Sequence, residues 1–125
     1  MHALAESRSL FVYGTLQPGH ANAHRLESLG GTWRRASING YLEPHGWTPG
    51  NGYPLLQLDP LGPQVRGFVF TSDALEARWP ALDEFEGQDY RRVLAPVRLD
   101  DGATVVAFVY VDARGARRQD AARGS

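Results

Sequence analysis

Glycine and proline divide this chain into short pieces, and most of those pieces read as β-strands rather than helices. There are 14 glycines and eight prolines in 125 residues. Glycine weakens helix and strand interiors through backbone entropy, and proline removes a backbone donor, so both collect in turns. Between them stand Leu10–Tyr13 ("LFVY"), Tyr53–Leu58 ("YPLLQL"), Val65–Phe70 ("VRGFVF") and the loosely alternating Tyr90–Leu99, all rich in β-formers. "DDGA", Asp100–Ala103, is a hairpin signal: the Asp-Gly pair supplies the positive φ angles of a tight turn. Thr104–Val111 ("TVVAFVYV") then returns as a long apolar strand, and the last two strands are expected to pair antiparallel.

Two helices fit between the strands, the first over about Ala21–Leu29 and the second beginning near Asp73. Asp73 with Glu76 three residues later has an N-terminal capping pattern, and Leu75 and Trp79 fall on one face. Pro80 interrupts that helix, which predicts a kink or a fresh short helix with the proline in its first turn. Gly40–Pro54 ("GYLEPHGWTPGNGYP") is so rich in turn formers that it reads as a long surface loop.

The size suits one domain, which buries roughly two-thirds of the surface its unfolded chain exposes. We expect a flexible N-terminus over residues 1–8, one domain over 9–112, and a disordered tail over 113–125, where no apolar face exists. Cysteine is absent, which excludes a disulfide framework, a thiolate metal site and a cysteine nucleophile. With a formal charge of −1, no field favours nucleic acid or an anionic membrane as partner. The start, "MHALAESRS", has no apolar leader core, and no run of about 18 apolar residues follows. The expectation is a soluble, cytoplasmic protein.

The segment Trp79–Arg92 ("WPALDEFEGQDYRR") carries the first chemical clue. In a helical turn starting at Pro80, Leu82, Phe85 and Glu86 stand at i, i+3 and i+4 and share the buried face. Asp83 and Glu84 then read as solvated surface, and Gly87 as a helix stop. A carboxylate pressed against apolar groups has a raised pKa, toward the range useful for general acid–base work near neutrality. A half-exposed glutamate with its stem packed and its head in water fits the same residues, as does one paired with Arg91 or Arg92. The second clue is "LFVYGTLQPG", Leu10–Gly19, a strand that stops at Gly14. Backbone N–H groups released from the sheet there suit a carboxylate or oxyanion, and a plain strand-to-helix turn fits equally well. "GTLQPG" lacks the Gly-Lys-Ser/Thr of a phosphate loop and the spaced glycines of a dinucleotide fingerprint.

Together, "FVYGTLQPG" and "LDEFEGQDYRR" resemble the γ-glutamylcyclotransferase-like family. The resemblance runs from about Leu10 to Val111 and rests on the order and spacing of Tyr13–Leu16, Gly19, Asn22, His24, Tyr53–Pro54, Val65–Gly67, Leu82–Asp83, Glu86 and Tyr90–Arg92. It implies an α+β fold, a small mixed β-barrel with flanking short helices, whose pocket lies at the barrel mouth beside the loop after the first strand. It implies that Tyr13, Gly14, Thr15 and Leu16 hold the α-carboxylate of a γ-glutamyl group, that Glu86 is the general acid–base, and that no metal or organic cofactor takes part. The activity implied is attack of a substrate's own α-amine on its γ-amide, releasing 5-oxoproline and an amine. Tyr90 and Tyr110 are candidates to line the pocket through their hydroxyls; core aromatics with one wet end are the other reading.

The sequence departs from the family pattern in two places. Phe68 stands where many relatives have Glu, which is expected to alter the pocket wall or its hydrogen bonds, and the spacing from Gly19 through Asn22 to His24 carries one extra residue. A lone His at a helix start is more often a capping or packing residue than a catalytic one. The alternative to an enzyme is a binding or interaction module that keeps the pocket without turnover; retention of a carboxylate at position 86 favours the enzyme.

Overall fold

The apolar run after Arg8 forms strand β1 (Ser9–Val12), buried at every residue. Such an unbroken run is what a strand covered on both faces requires. The chain continues through helix α1 (His24–Glu27), strands β2 (Thr32–Glu43), β3 (Leu55–Leu58) and β4 (Gln64–Thr71), and a 3₁₀ turn over Glu76–Arg78. Helix α2 (Trp79–Glu86) and strands β5 (Tyr90–Leu99) and β6 (Thr104–Asp112) complete it. This is a computed structural model, and it describes residues 8–43 and 55–113.

The strands run in the order β3-β2-β4-β1-β6-β5, and β2 also pairs with β5. That last pairing, Ala36 with Leu99 and Ser37 with Arg98, closes five strands into a barrel and leaves β3 as an extra strand on β2. All ladders are antiparallel except β1–β6, where Leu10 lies opposite Phe108 and Phe11 opposite Val109. The parallel pair has a geometric consequence: the C-terminal ends of β1 and β6 emerge at one rim. Because β5 is antiparallel to β6, with Tyr90 opposite Asp112, its first residue arrives there too. Tyr13, Tyr110 and Tyr90 are thereby gathered from distant parts of the sequence.

Alternation in the strands splits the apolar residues into two cores. Phe11, Ile38, Leu56, Val65, Val69, Val97, Val109 and their neighbours fill the barrel. Leu10, Val12, Leu16, Leu26, Phe70, Leu75, Trp79, Leu82 and Tyr110 pack between the barrel wall and the helices. Leu82 is buried and helps fix α2 to the wall; burying a leucine side chain fully contributes about 1.5–3 kcal/mol. Gly67 shows how tightly β1 and β4 meet, since a Cβ there would lie 2.1 Å from the Val12 carbonyl oxygen.

Several expectations are corrected by this architecture. β2, the longest strand, is missing from the sequence reading, and Gly40–Glu43 belongs to it rather than to a loop. The remainder of that loop, with His45, Trp47 and Asn51, lies outside the described residues, as do the N-terminus over 1–7 and the tail over 114–125. The first helix is four residues long instead of nine. Asp73 does not cap the second: Ala74 N–H bonds to Ser72 Oγ at 3.1 Å, and Asp73 pairs with Arg8 at 3.2 Å. The helix restarts with Pro80 in its first turn, as expected, and ends at Gly87, whose φ of +85° only glycine adopts readily. In the β5–β6 hairpin only Gly102 has positive φ, so Asp101 does not form a doubly left-handed turn; its carboxylate instead accepts the Ala103 N–H at 2.8 Å.

Candidate functional site

At the rim where β1, β5 and β6 converge, a cleft is lined by Phe11, Val12, Tyr13, Gly14, Thr15, Leu16, Glu86, Tyr90 and Tyr110. All seven residues singled out from the sequence, Glu86 and the six candidate binding residues, line this one cleft. Phe11 and Val12 were not singled out; their position at the mouth follows from β1 running straight into the loop.

The loop is held from behind. The Gly14 carbonyl accepts the Gln17 N–H at 3.1 Å and the Gln17 side-chain amide at 3.2 Å. The Thr15 carbonyl accepts the Asn22 N–H at 2.9 Å, and the Asn22 side chain donates to Thr15 Oγ1 at 3.0 Å. In a trans peptide the N–H points opposite the carbonyl, so turning these two carbonyls into the loop turns the Thr15 and Leu16 N–H groups the other way. Among the described residues, the N–H groups of Gly14, Thr15 and Leu16 meet no acceptor. Such a set of oriented donors suits a carboxylate. Asn22 therefore braces the loop, a role the sequence reading did not assign it. His24 is exposed on α1 and does not line the cleft.

Glu86 is brought in by α2. Leu82 is buried, Phe85 packs partly against the same cluster, and Glu86 follows on that face, partly buried and without a hydrogen-bonding partner among the described residues. Burial pushes its carboxyl up to about 7. Neither neighbouring arginine pulls it back. Arg92 is committed elsewhere, its guanidinium 4.5 Å from the ring centroids of both Trp79 and Phe108.

Asp83 corrects the sequence reading. It is no ordinary solvated carboxylate: it accepts Arg92 Nε at 2.9 Å, Arg92 Nη2 at 3.3 Å and the Tyr110 hydroxyl at 2.7 Å. Partial burial acts to raise its pKa, but the hydrogen bonds from Arg92 and Tyr110 and the arginine's charge outweigh it and hold the carboxyl below its ordinary value. Tyr110 and Tyr13 are pushed well above the usual phenol range, chiefly by burial, so both stay protonated. The Tyr13 hydroxyl donates to the Tyr110 carbonyl, joining the end of β1 to β6.

Phe68 is also placed differently from expectation. It is not part of the cleft wall but borders a separate depression with Gln17, Arg35, Arg66 and Gly67. Among the described residues, no group of three or more His, Asp or Glu side chains is arranged to hold a metal ion.

The fold agrees with what the chain is similar to. An AIG2-like protein from Mus musculus is 29% identical, with a TM-score of 0.66 over 85% of this chain and 77% of that one. YkqA from Bacillus subtilis is 27% identical with a TM-score of 0.64; the match covers 85% of this chain and 36% of YkqA. A protein from Arabidopsis thaliana is 30% identical with a TM-score of 0.62, over 86% of this chain and 63% of its own. Comparison with the curated proteins returns no match. Residues 10–124 match the family described as gamma-glutamyl cyclotransferase, AIG2-like, and the chain belongs to that family.

Proposed function

We propose that the protein is an enzyme that cyclises a γ-glutamyl amine to 5-oxoproline and releases the free amine. The observation that carries the reading is the meeting, in one cleft, of the Gly14–Leu16 donors and a carboxyl titrating near neutrality. The donors receive the substrate's α-carboxylate, which sets its α-amine beside Glu86. The bound ammonium first loses one proton to solvent; ionised Glu86 then takes a second from the amine as the nitrogen attacks the γ-carbonyl carbon and the ring's C–N bond forms, and the released amine regains the first from solvent. The same carboxyl then gives that proton to the departing nitrogen as the original amide C–N bond breaks. No water is consumed, and the proton count closes.

A base with a pKa of about 7 suits this work. It is substantially ionised at neutral pH yet close enough to an α-amino group, ordinarily near about 8, to exchange protons without a large uphill step. An exposed carboxylate is too weak a base, and Asp83, pulled below its ordinary value, is weaker still. Nucleophile and electrophile already belong to one molecule, so the protein has only to freeze the remaining rotations into an attack geometry, a fraction of the roughly 7–11 kcal/mol that bringing together two separate reactants is worth.

The test is mass-spectrometric detection of 5-oxoproline from γ-glutamyl amino acids, γ-glutamyl-lysine isopeptides and γ-glutamylated small amines. At least one is expected to turn over, and Glu86→Gln to abolish turnover while circular dichroism stays unchanged. Unaffected turnover in Glu86→Gln sinks the mechanism. Silence across the panel shifts the assignment to a binding module on the same fold.

A further inference from the structure

Tyr110 stands between two carboxylates on one helix, with its side chain in the cleft wall and its hydroxyl bonded at 2.7 Å to Asp83. An ionised carboxylate can only accept a hydrogen bond, so the Tyr110 proton is the donor in that contact and points away from the cleft. Asp83 is kept ionised by Arg92, which reaches it through Nε and Nη2 and itself packs against the adjoining rings of Trp79 and Phe108. The phenol oxygen is left with lone pairs only. A rotatable hydroxyl that elsewhere serves as donor or acceptor here has one polarity.

We infer that Asp83 is a positioning residue that locks Tyr110 as a hydrogen-bond acceptor, so that Tyr110 and Glu86 form a subsite for the substrate's protonated amine, opposite the N–H donors that take its carboxylate. The cleft is then matched to an α-amino acid zwitterion. Its donor end is the Gly14–Leu16 backbone; its acceptor end is Tyr110 and Glu86, both lining the same cleft. Tyr13 contributes less to this end: its proton is on the Tyr110 carbonyl. The inference rests on the γ-glutamyl reading of the site and adds the element that distinguishes a substrate with an amine from one without.

Asp83→Ala tests the polarity directly. Tyr110 and Arg92 Nε share Oδ1 of Asp83, so removing that carboxylate takes away the acceptor of the Tyr110 proton and leaves the hydroxyl free to turn that proton toward the ammonium. Tyr110→Phe removes the oxygen altogether. Both substitutions are made in the Glu86→Gln background, which is not expected to consume the probe. Calorimetry then compares γ-L-glutamyl-methylamide with glutaric acid monomethylamide, the same molecule lacking the α-amine.

The Glu86→Gln protein is expected to prefer the amine-bearing probe by about tenfold to a hundredfold, the usual worth of a hydrogen bond to a charged group. Asp83→Ala weakens that preference and Tyr110→Phe erases it, each leaving the affinity for the amine-free probe unchanged. Loss of both affinities together, or a preference that survives both substitutions, overturns the inference, because a merely structural role weakens the two probes alike. Binding of neither probe to the Glu86→Gln protein overturns it together with the γ-glutamyl reading. Failure of the cyclotransferase reading alone shows separately, as intact probe discrimination in a protein that yields no 5-oxoproline.

Discussion

Asp83 and Glu86 stand three residues apart on one short helix, and the structure drives their acidities in opposite directions. Asp83 is the more exposed, its side chain 45% accessible, yet three hydrogen bonds from Arg92 and Tyr110 hold it ionised. Glu86 lies deeper, has no hydrogen-bonding partner among the described residues, and titrates near 7. A helix advances about 100° per residue, so three positions turn one carboxyl toward β5 and β6 and the other into the cleft. The difference teaches that partner supply, more than residue type, sets what each carboxyl does: one fixes a neighbour's proton, the other is left free to move one.

The largest effect comes from deleting the free partner of this pair. Glu86→Gln is expected to lower kcat at least about 100-fold and up to about 10,000-fold, the span typical of a general acid–base group, as read from 5-oxoproline release. Next is making Glu86 resemble Asp83. Tyr90→Arg sets a cation in the wall of the same cleft, which should lower the Glu86 pKa by about 1–3 units in a carboxyl-labelled NMR titration and shift the acid limb of kcat/KM with it. A Glu86 titration still centred near 7 in that variant breaks the idea that missing partners set its pKa.

Smaller effects follow from stripping Asp83 of its partner. Arg92→Ala removes an ion pair that Asp83's exposure screens, together with two ring contacts, and should cost about 1–2 kcal/mol in urea unfolding. The Asp83 titration should move upward in that variant. The smallest effect is a slope. Glu86's folded pKa lies above its ordinary 4.5, so the folded state binds more protons than the unfolded chain between pH 4.5 and 7. Its contribution to stability is therefore full below 4.5 and lost as pH rises through 7. Asp83 has the opposite sign: its folded pKa is depressed, so its contribution is present above the ordinary aspartate value and lost as pH falls through the folded one. Unfolding measured from pH 4.5 to 8 should flatten in Glu86→Gln and keep its wild-type slope in Arg92→Ala.

The two carboxylates also divide what was legible in the sequence from what was not. Glu86 could be placed because its environment is local: Leu82, one helical turn before it, and Phe85, a turn after Leu82, set the buried face. Asp83 could not, because its partners lie nine and 27 residues further on and meet it only after β5 and β6 have closed on the helix. Strands behave likewise. β5 and β6 announce themselves through a hairpin, whereas β2, with Arg34, Arg35, Asn39 and Gly40, resembles no apolar strand. Its length is set by pairing with β3, β4 and β5 in succession, and no local pattern encodes three partners. The loop after β1 was readable as an interruption, and the bracing by Asn22 gave that interruption a shape.

The parallel pairing of β1 with β6 also orders events during synthesis. No hairpin can join parallel neighbours, and here they come from opposite ends of the domain, with 97 residues between the Tyr13 hydroxyl and the Tyr110 carbonyl that receives it. A nascent chain that has released β1 and its loop, and even α2 with Glu86, still has no cleft. The two walls meet only when β6 clears the ribosome, so a chain cut short before β6 has the acid–base residue and the anion loop but nothing to hold them in register.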